Sequence, residues 1–179
     1  LIGSEFSSLE KEEKQWREVI AGVRRRFGGT LSYSANWDHL ETIKWWDAID
    51  SIGMTGYHTL TKKDDPTVDE LTDAWRKLKA ELVAILEKTK KPYFFSEMGY
   101  ASLDGINKNP WDYVSPDVVD QKEQADCYEA WFRAWQKSPN NFRGAFFYTW
   151  WRNDDDKDKR QYTVYGKPAA QIIKKWYKK

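Results

Sequence analysis

Cysteine occurs once in the 179 residues, at Cys127, so no disulfide framework forms within the chain. Its neighbours Ala125 and Tyr128 follow a helical pattern, which makes it a small buried residue rather than a nucleophile. Histidine occurs twice, too few for a zinc ligand set, and neither metal nor cofactor is expected. Charge of one sign is also lacking. The 29 basic and 28 acidic residues leave a formal net charge of +1, which gives no electrostatic case for a nucleic-acid or membrane partner. No apolar run approaches the length of a membrane span, so a soluble protein is expected, with its compartment open. No glycine-rich phosphate loop follows any predicted strand, which argues against a nucleotide-binding doubly wound fold. The acidic run Asp154-Asp155-Asp156 lacks the alternating ligand spacing of a calcium loop and reads as a solvated loop. Finally, the chain opens at Leu1-Ile2-Gly3-Ser4-Glu5 with no initiator Met and no signal-peptide pattern. It reads as a piece of a longer protein, beginning inside an apolar strand.

Aromatic residues are plentiful: 11 Trp, 10 Tyr and 8 Phe. Trp16, Trp75, Trp131, Trp135 and Trp176 fall at helical spacing and are assigned to the core. Rings outside such patterns are candidates for stacking on sugars, whose C–H faces meet the π-cloud. Nucleic-acid stacking would need a basic groove that the charge balance does not supply.

The chain reads as five strand–helix units within one domain, residues 1–179. Leu1 to Ser4 is the end of a first strand. Ser7-Ser8-Leu9-Glu10 is a capping-box pattern before a helix through Phe27, which Gly28-Gly29 stops. Thr30 to Ala35 is a second strand, followed by a short helix over 43–49, and Ser51 to Tyr57 is a third. Thr67-Val68-Asp69-Glu70 is another capping box, opening a long helix striped by Leu71, Trp75, Leu78 and Leu82. The aromatic run Tyr93-Phe94-Phe95 is a buried strand that ends on Glu97. Ser115-Pro116-Asp117 starts a further helix. Phe142 to Thr149 is the last strand, and Gly166-Lys167-Pro168 opens the final helix.

Such alternation predicts a parallel sheet with helices outside it. Polar and aromatic residues recur at the carboxyl ends of the strands: Glu5, Trp37, Tyr57 with His58, Glu97 and Trp150. That is where a (β/α)8 TIM barrel keeps its chemistry. Five units are not eight, so the expected architecture is a partial barrel, strands four to eight. The first three strands would come from the same protein or from a partner chain.

Two strand-end glutamates facing one another are what glycoside hydrolysis needs. One protonates the departing oxygen, and the other attacks the anomeric carbon or activates water. Retaining enzymes hold the carboxyl groups ~5–5.5 Å apart and inverting ones roughly 6.5–9.5 Å. Tyr57, His58 and Trp111 have two readings each. Tyr57 fits an orienting hydroxyl or a core ring, and His58 a sugar contact or a hydrogen-bonded loop histidine. Trp37 and Trp150 suit the floor under a sugar ring. Trp111 suits the wall of a further subsite or simple loop anchoring.

The run Ser96-Glu97-Met98-Gly99-Tyr100-Ala101-Ser102, then Asn109-Pro110-Trp111, then Gln124-Ala125 and Tyr128, resembles glycoside hydrolase family 113. Leu1-Ile2-Gly3-Ser4-Glu5 resembles that family's fourth strand, and Gly166-Lys167-Pro168-Ala169 its entry to the last helix. The resemblance implies that Glu5 is the general acid/base and Glu97 the nucleophile. The implied activity is internal hydrolysis of β-1,4-mannan with retention, on an oligosaccharide or polysaccharide substrate. Many enzymes of the same clan place Asn directly before the acid/base, in contact with the sugar 2-hydroxyl. Here that position is Ser4, compatible with the axial 2-hydroxyl of mannose. A β-glucanase or another activity of the clan, and a non-catalytic carbohydrate-binding protein, stay open as alternatives.

Overall fold

The computed structural model describes residues 1–115, 117–152 and 159–178. The acidic run at 154–156 and Pro116 lie outside the described residues. The contacts group the chain into two units. The first is Leu1–Gly56, Leu82–Glu97 and Pro139–Phe146; the second is Tyr57–Glu81, Met98–Ser138 and Phe147–Lys179.

The sheet has four strands in sequence order: β1 (Ser32–Ala35), β2 (Ser51–Thr55), β3 (Tyr93–Met98) and β4 (Phe142–Phe147). β1 pairs with β2, and β2 with β3, in parallel. With the intervening helices this is a partial (β/α)8 barrel, as the alternation predicts.

The opening segment is the main correction. It lies along β1 through Ile2 N–H to Ser32 O (2.8 Å), Ser34 N–H to Gly3 O (3.1 Å) and Glu5 N–H to Ser34 O (2.8 Å). Only one parallel bridge forms, Ser4 to Ser34, so there is no fifth strand among the described residues. The reason is local. Glu5 adopts φ 53°, a left-handed conformation that ends extended pairing.

In the first unit α1 (Glu13–Arg24) buries Trp16 and Ile20. Trp16 stacks on Trp45 (centroids 4.8 Å apart), and both meet the Tyr33 ring edge-on at 5.0 Å. The predicted capping box at Ser7 does not form: Glu12 precedes the helix without a side-chain cap, because the carboxylate of Glu10 is engaged elsewhere. α1 also stops at Arg24, ahead of Gly28-Gly29, and leaves Phe27 exposed. Residues 43–49 hold only one 3₁₀ turn, Trp46–Ala48. β2 ends at Thr55 and β4 at Phe147, two residues earlier than predicted in each case. Gly53 is required in β2, since an added Cβ would lie 2.9 Å from Tyr33 O and 3.2 Å from Ser96 Cβ.

The second unit holds most of α2 (Val68–Leu86), with α3 (Gln121–Trp135) and α4 (Pro168–Tyr177). α3 starts at Gln121, not near Ser115, because Asp120 caps it, accepting from Lys122 N–H and Glu123 N–H. Phe132 of α3 stacks flat on Trp176 of α4 (5.5 Å, 5°). Gln124 is buried and donates to Tyr100 O (2.7 Å), which ties α3 to the chain after β3. No described helix is long and apolar enough to cross a membrane.

The capping box at α2 forms as predicted. Glu70 N–H donates to Thr67 Oγ1 (3.2 Å) and Thr67 N–H to Glu70 Oε2 (2.9 Å). Thr67→Ala removes one side of this exchange and is expected to cost about 1 kcal/mol of stability. Urea unfolding monitored by circular dichroism measures it.

Candidate active site

Side chains paired across neighbouring strands point to the same side of a sheet. Tyr33, Ile52, Tyr93, Met54 and Phe95 occupy one face and are fully buried. Ser34, Gly53 and Phe94 line up on the other. Strict alternation would send Glu97 to the apolar face with Phe95. A bulge prevents this. Met54 pairs with Phe95 but Thr55 pairs with Glu97, leaving Ser96 as an extra residue. One inserted residue reverses the sidedness of all that follows. Glu97 therefore joins Thr55 on the polar face, and Met98 takes the buried position on the apolar one. Ser96 is held by its hydroxyl, which reaches Met54 O (3.0 Å) and the Ser34 hydroxyl (2.5 Å).

Glu5 arrives at the same place from the opening segment. Its Oε1 accepts from the Thr55 hydroxyl at 3.2 Å, and Glu97 O accepts from Gly56 N–H at 2.8 Å. The end of β2 thus holds one glutamate by a side chain and the other by backbone pairing. Asn36 and Trp37, just past β1, complete the group. Trp37 N–H lies 3.0 Å from Asn36 Oδ1 and 3.1 Å from Thr55 Oγ1, and Trp37 is half-buried.

The electrostatics single out Glu5. Although Glu5 is exposed as a residue, burial of its carboxyl is the largest influence and raises the pKa above the usual carboxylate range. The Thr55 hydrogen bond opposes this, and the negative charges of Glu97 and Glu10 add to it. A carboxyl so placed keeps its proton at a pH where an ordinary carboxylate has lost it. A protonated acid beside a second carboxylate is equipped for proton donation and nucleophilic attack across one bond.

The remaining expected residues belong to the second unit. Tyr57 is buried, edge-on to Tyr162 at 5.9 Å. Tyr162 also meets Tyr113 (5.8 Å) and Tyr148 (5.5 Å), and its hydroxyl donates to Pro110 O (2.5 Å). This anchors the loop that displays Trp111, which is 45% exposed. Trp150 is 57% exposed and touches the edge of Tyr165 at 6.5 Å. His58 is buried and packs edge-on against Trp75 at 5.8 Å. Asp104, Asp120 and Glu123 bring carboxylate oxygens within 4.8 Å of one another. Asp120 is occupied as the α3 cap, and Glu123 accepts from Gly105 N–H and from both nitrogens of Asn107.

Sequence reasoning passed over Thr55, Asn36 and Glu10. Thr55 carried no strand-end signal, because the predicted strand ran on to Tyr57, and Glu10 was disguised by its capping-box spacing.

Comparison with known proteins adds a family pattern to this geometry. The family model for Glycoside Hydrolase Family 113 matches residues 1–167. The β-mannanase AaManA from Alicyclobacillus acidocaldarius, solved in complex with ManMIm, is 32% identical with a TM-score of 0.80. A GH113 β-1,4-mannanase, also solved as a complex, is 28% identical with a TM-score of 0.84. Each alignment covers 98% of this chain and 54% of the other, so the chain spans about half the length of those enzymes. The β-glucuronidase of Ruminococcus gnavus, at 17% identity and a TM-score of 0.62, shares the fold. Comparison with curated proteins yields no match.

Thr55→Val keeps the shape of the side chain and deletes the hydrogen bond that favours the Glu5 carboxylate. The Glu5 pKa is expected to rise further in this variant. Carboxyl-carbon NMR titration reads the shift, and a fall would contradict the assignment of that bond as the opposing influence.

Proposed function

The chain belongs to glycoside hydrolase family 113, and from that premise we propose that it carries both carboxyl groups of a retaining glycosidase that cleaves β-1,4-mannan internally. The observation that carries the reading is the convergence of Glu5 and Glu97 on Thr55, close enough for the charge of Glu97 to raise the Glu5 pKa. The substrate follows the solved relatives, which are β-mannanases.

In this mechanism the Glu97 carboxylate attacks the anomeric carbon while Glu5 gives its proton to the departing glycosidic oxygen. The bond to the leaving sugar breaks as the glycosyl–Glu97 ester forms. Glu5, now a carboxylate, takes a proton from water, which attacks the same carbon and frees Glu97. The pKa of Glu5 suits the first step, since the acid must begin protonated. Its rise has a second use, because loss of the Glu97 charge in the ester makes Glu5 easier to deprotonate when it must act as a base.

Trp37, Trp111 and Trp150 offer indole faces for sugar rings, with Tyr57 and His58 as further substrate contacts. Residues 1–179 are read as the C-terminal part of one catalytic domain. Its remaining barrel strands come from the same protein or a partner chain, in keeping with relatives about twice as long.

Glu97→Gln and Glu5→Gln are each expected to lower mannan hydrolysis by roughly 10³-fold while mannan binding persists. Proton NMR of the first product should show the β-anomer. Inversion, or unchanged turnover in Glu97→Gln, would sink the retaining mechanism. Mannan binding without turnover in the parent protein, left unchanged in both variants, would mark a carbohydrate-binding protein instead.

A further inference from the structure

Behind the polar face lies a carboxylate that the mechanism does not use. Glu10 is 0% exposed. Its Oε1 accepts from the Tyr33 hydroxyl (2.8 Å) and its Oε2 lies 2.6 Å from His39 Nδ1. Trp45 Nε1 donates to the Glu10 carbonyl (3.1 Å). A buried carboxylate is costly unless its oxygens are satisfied, and here both are.

The chain of contacts leads back to Glu5. The Tyr33 hydroxyl donates to Glu10, since a carboxylate only accepts, and so its lone pairs are free for one further donor. That donor is Phe6 N–H, at 2.9 Å. Phe6 follows Glu5 directly, and Glu5 N–H is held by Ser34 O at 2.8 Å. Consecutive residues of β1, one on each face, thus grip the amides on both sides of a glutamate at φ 53°. A non-glycine residue in that region persists only where its surroundings hold it there.

We propose that Tyr33 and Glu10, backed by His39, are positioning residues that hold Glu5 in its left-handed turn and aim its carboxyl at Thr55. The inference rests on the reading of Glu5 as the general acid. Tyr33 is fully buried between Trp16, Trp45 and Trp46, so its ring has no freedom to swing away. Burial, then the bond to Glu10, raise the pKa of the Tyr33 hydroxyl, which keeps the proton it donates. Glu10 acts on Glu5 a second way, through its charge, which raises the Glu5 pKa. The other groups facing Glu5 are Glu97 and Thr55, with Asp38 3.6 Å from His39 Nε2 at the outer end of the network.

Two variants test this in the intact protein. Tyr33→Phe removes one oxygen and leaves the packed ring. Its kcat on mannan is expected to fall about tenfold with KM within about twofold, because geometry is lost and ground-state binding is not. Glu10→Gln removes the charge and keeps the shape. The Glu5 carboxyl, followed by carbon NMR, should then titrate at lower pH, and the basic limb of kcat/KM should move down with it. Should Glu10→Gln fail to fold, Tyr33→Phe decides alone. A folded Tyr33→Phe with parental kcat, or a folded Glu10→Gln with an unmoved Glu5 titration, overturns the proposal. Glu5→Gln measured alongside separates the two readings. If it is fully active the general-acid assignment has failed, whereas if it is inactive and the others behave as parent, only the positioning role has.

Discussion

One extra residue in β3 decides which way a glutamate faces. With Ser96 accommodated in the bulge, Thr55 and Glu97 share a face of the sheet; without it, Glu97 would point into the apolar layer beside Phe95 and Met54. The bulge is itself held, by Ser96 to Met54 O and to Ser34, and it requires the bare backbone of Gly53 beside it. A small-residue neighbourhood of Ser34, Gly53 and Ser96 therefore sets the sidedness of the site. Bulky residues at these positions would crowd the strands before any carboxylate was lost.

Three carboxyl groups near one another would ordinarily repel. Here they are kept in distinct surroundings. Glu10 sits on the apolar side among Tyr33, His39 and Trp45, with both oxygens engaged. Glu97 stands at the end of a strand, half-buried. Glu5 carries the consequence: burial and two like charges favour its neutral form against the single opposing bond from Thr55.

Several elements are legible in the sequence. The capping box at Thr67 and Glu70, the proline at the start of α4 and the helical stripe of α3 are local patterns whose partners lie within a turn or two. The same local logic misread Ser7 to Glu10. Its spacing matches a capping box, but Glu10 finds better partners in Tyr33, 23 positions away, and His39, 29 positions away. The opening segment likewise has the composition of a strand, yet the left-handed turn at Glu5 halts its pairing after one bridge. Strand ends were read long in β2 and β4, where single backbone bonds, Gly56 N–H to Glu97 O and Tyr148 N–H to Met98 O, carry the pairing one residue past the regular ladder.

By itself the amino-acid sequence determined the alternation of strands and helices from β1 onward, Glu97 at the end of β3 and the family to which the chain belongs. These depend on residue type and short spacing, which a linear chain displays openly. Tertiary structure alone decided that Thr55 joins Glu5 to the strand carrying Glu97, that Ser96 turns Glu97 to the polar face, and that Glu10 is a buried partner rather than a helix cap. Each of those outcomes depends on a contact between residues far apart in sequence, and strand register, which no local pattern encodes, chooses among the contacts available.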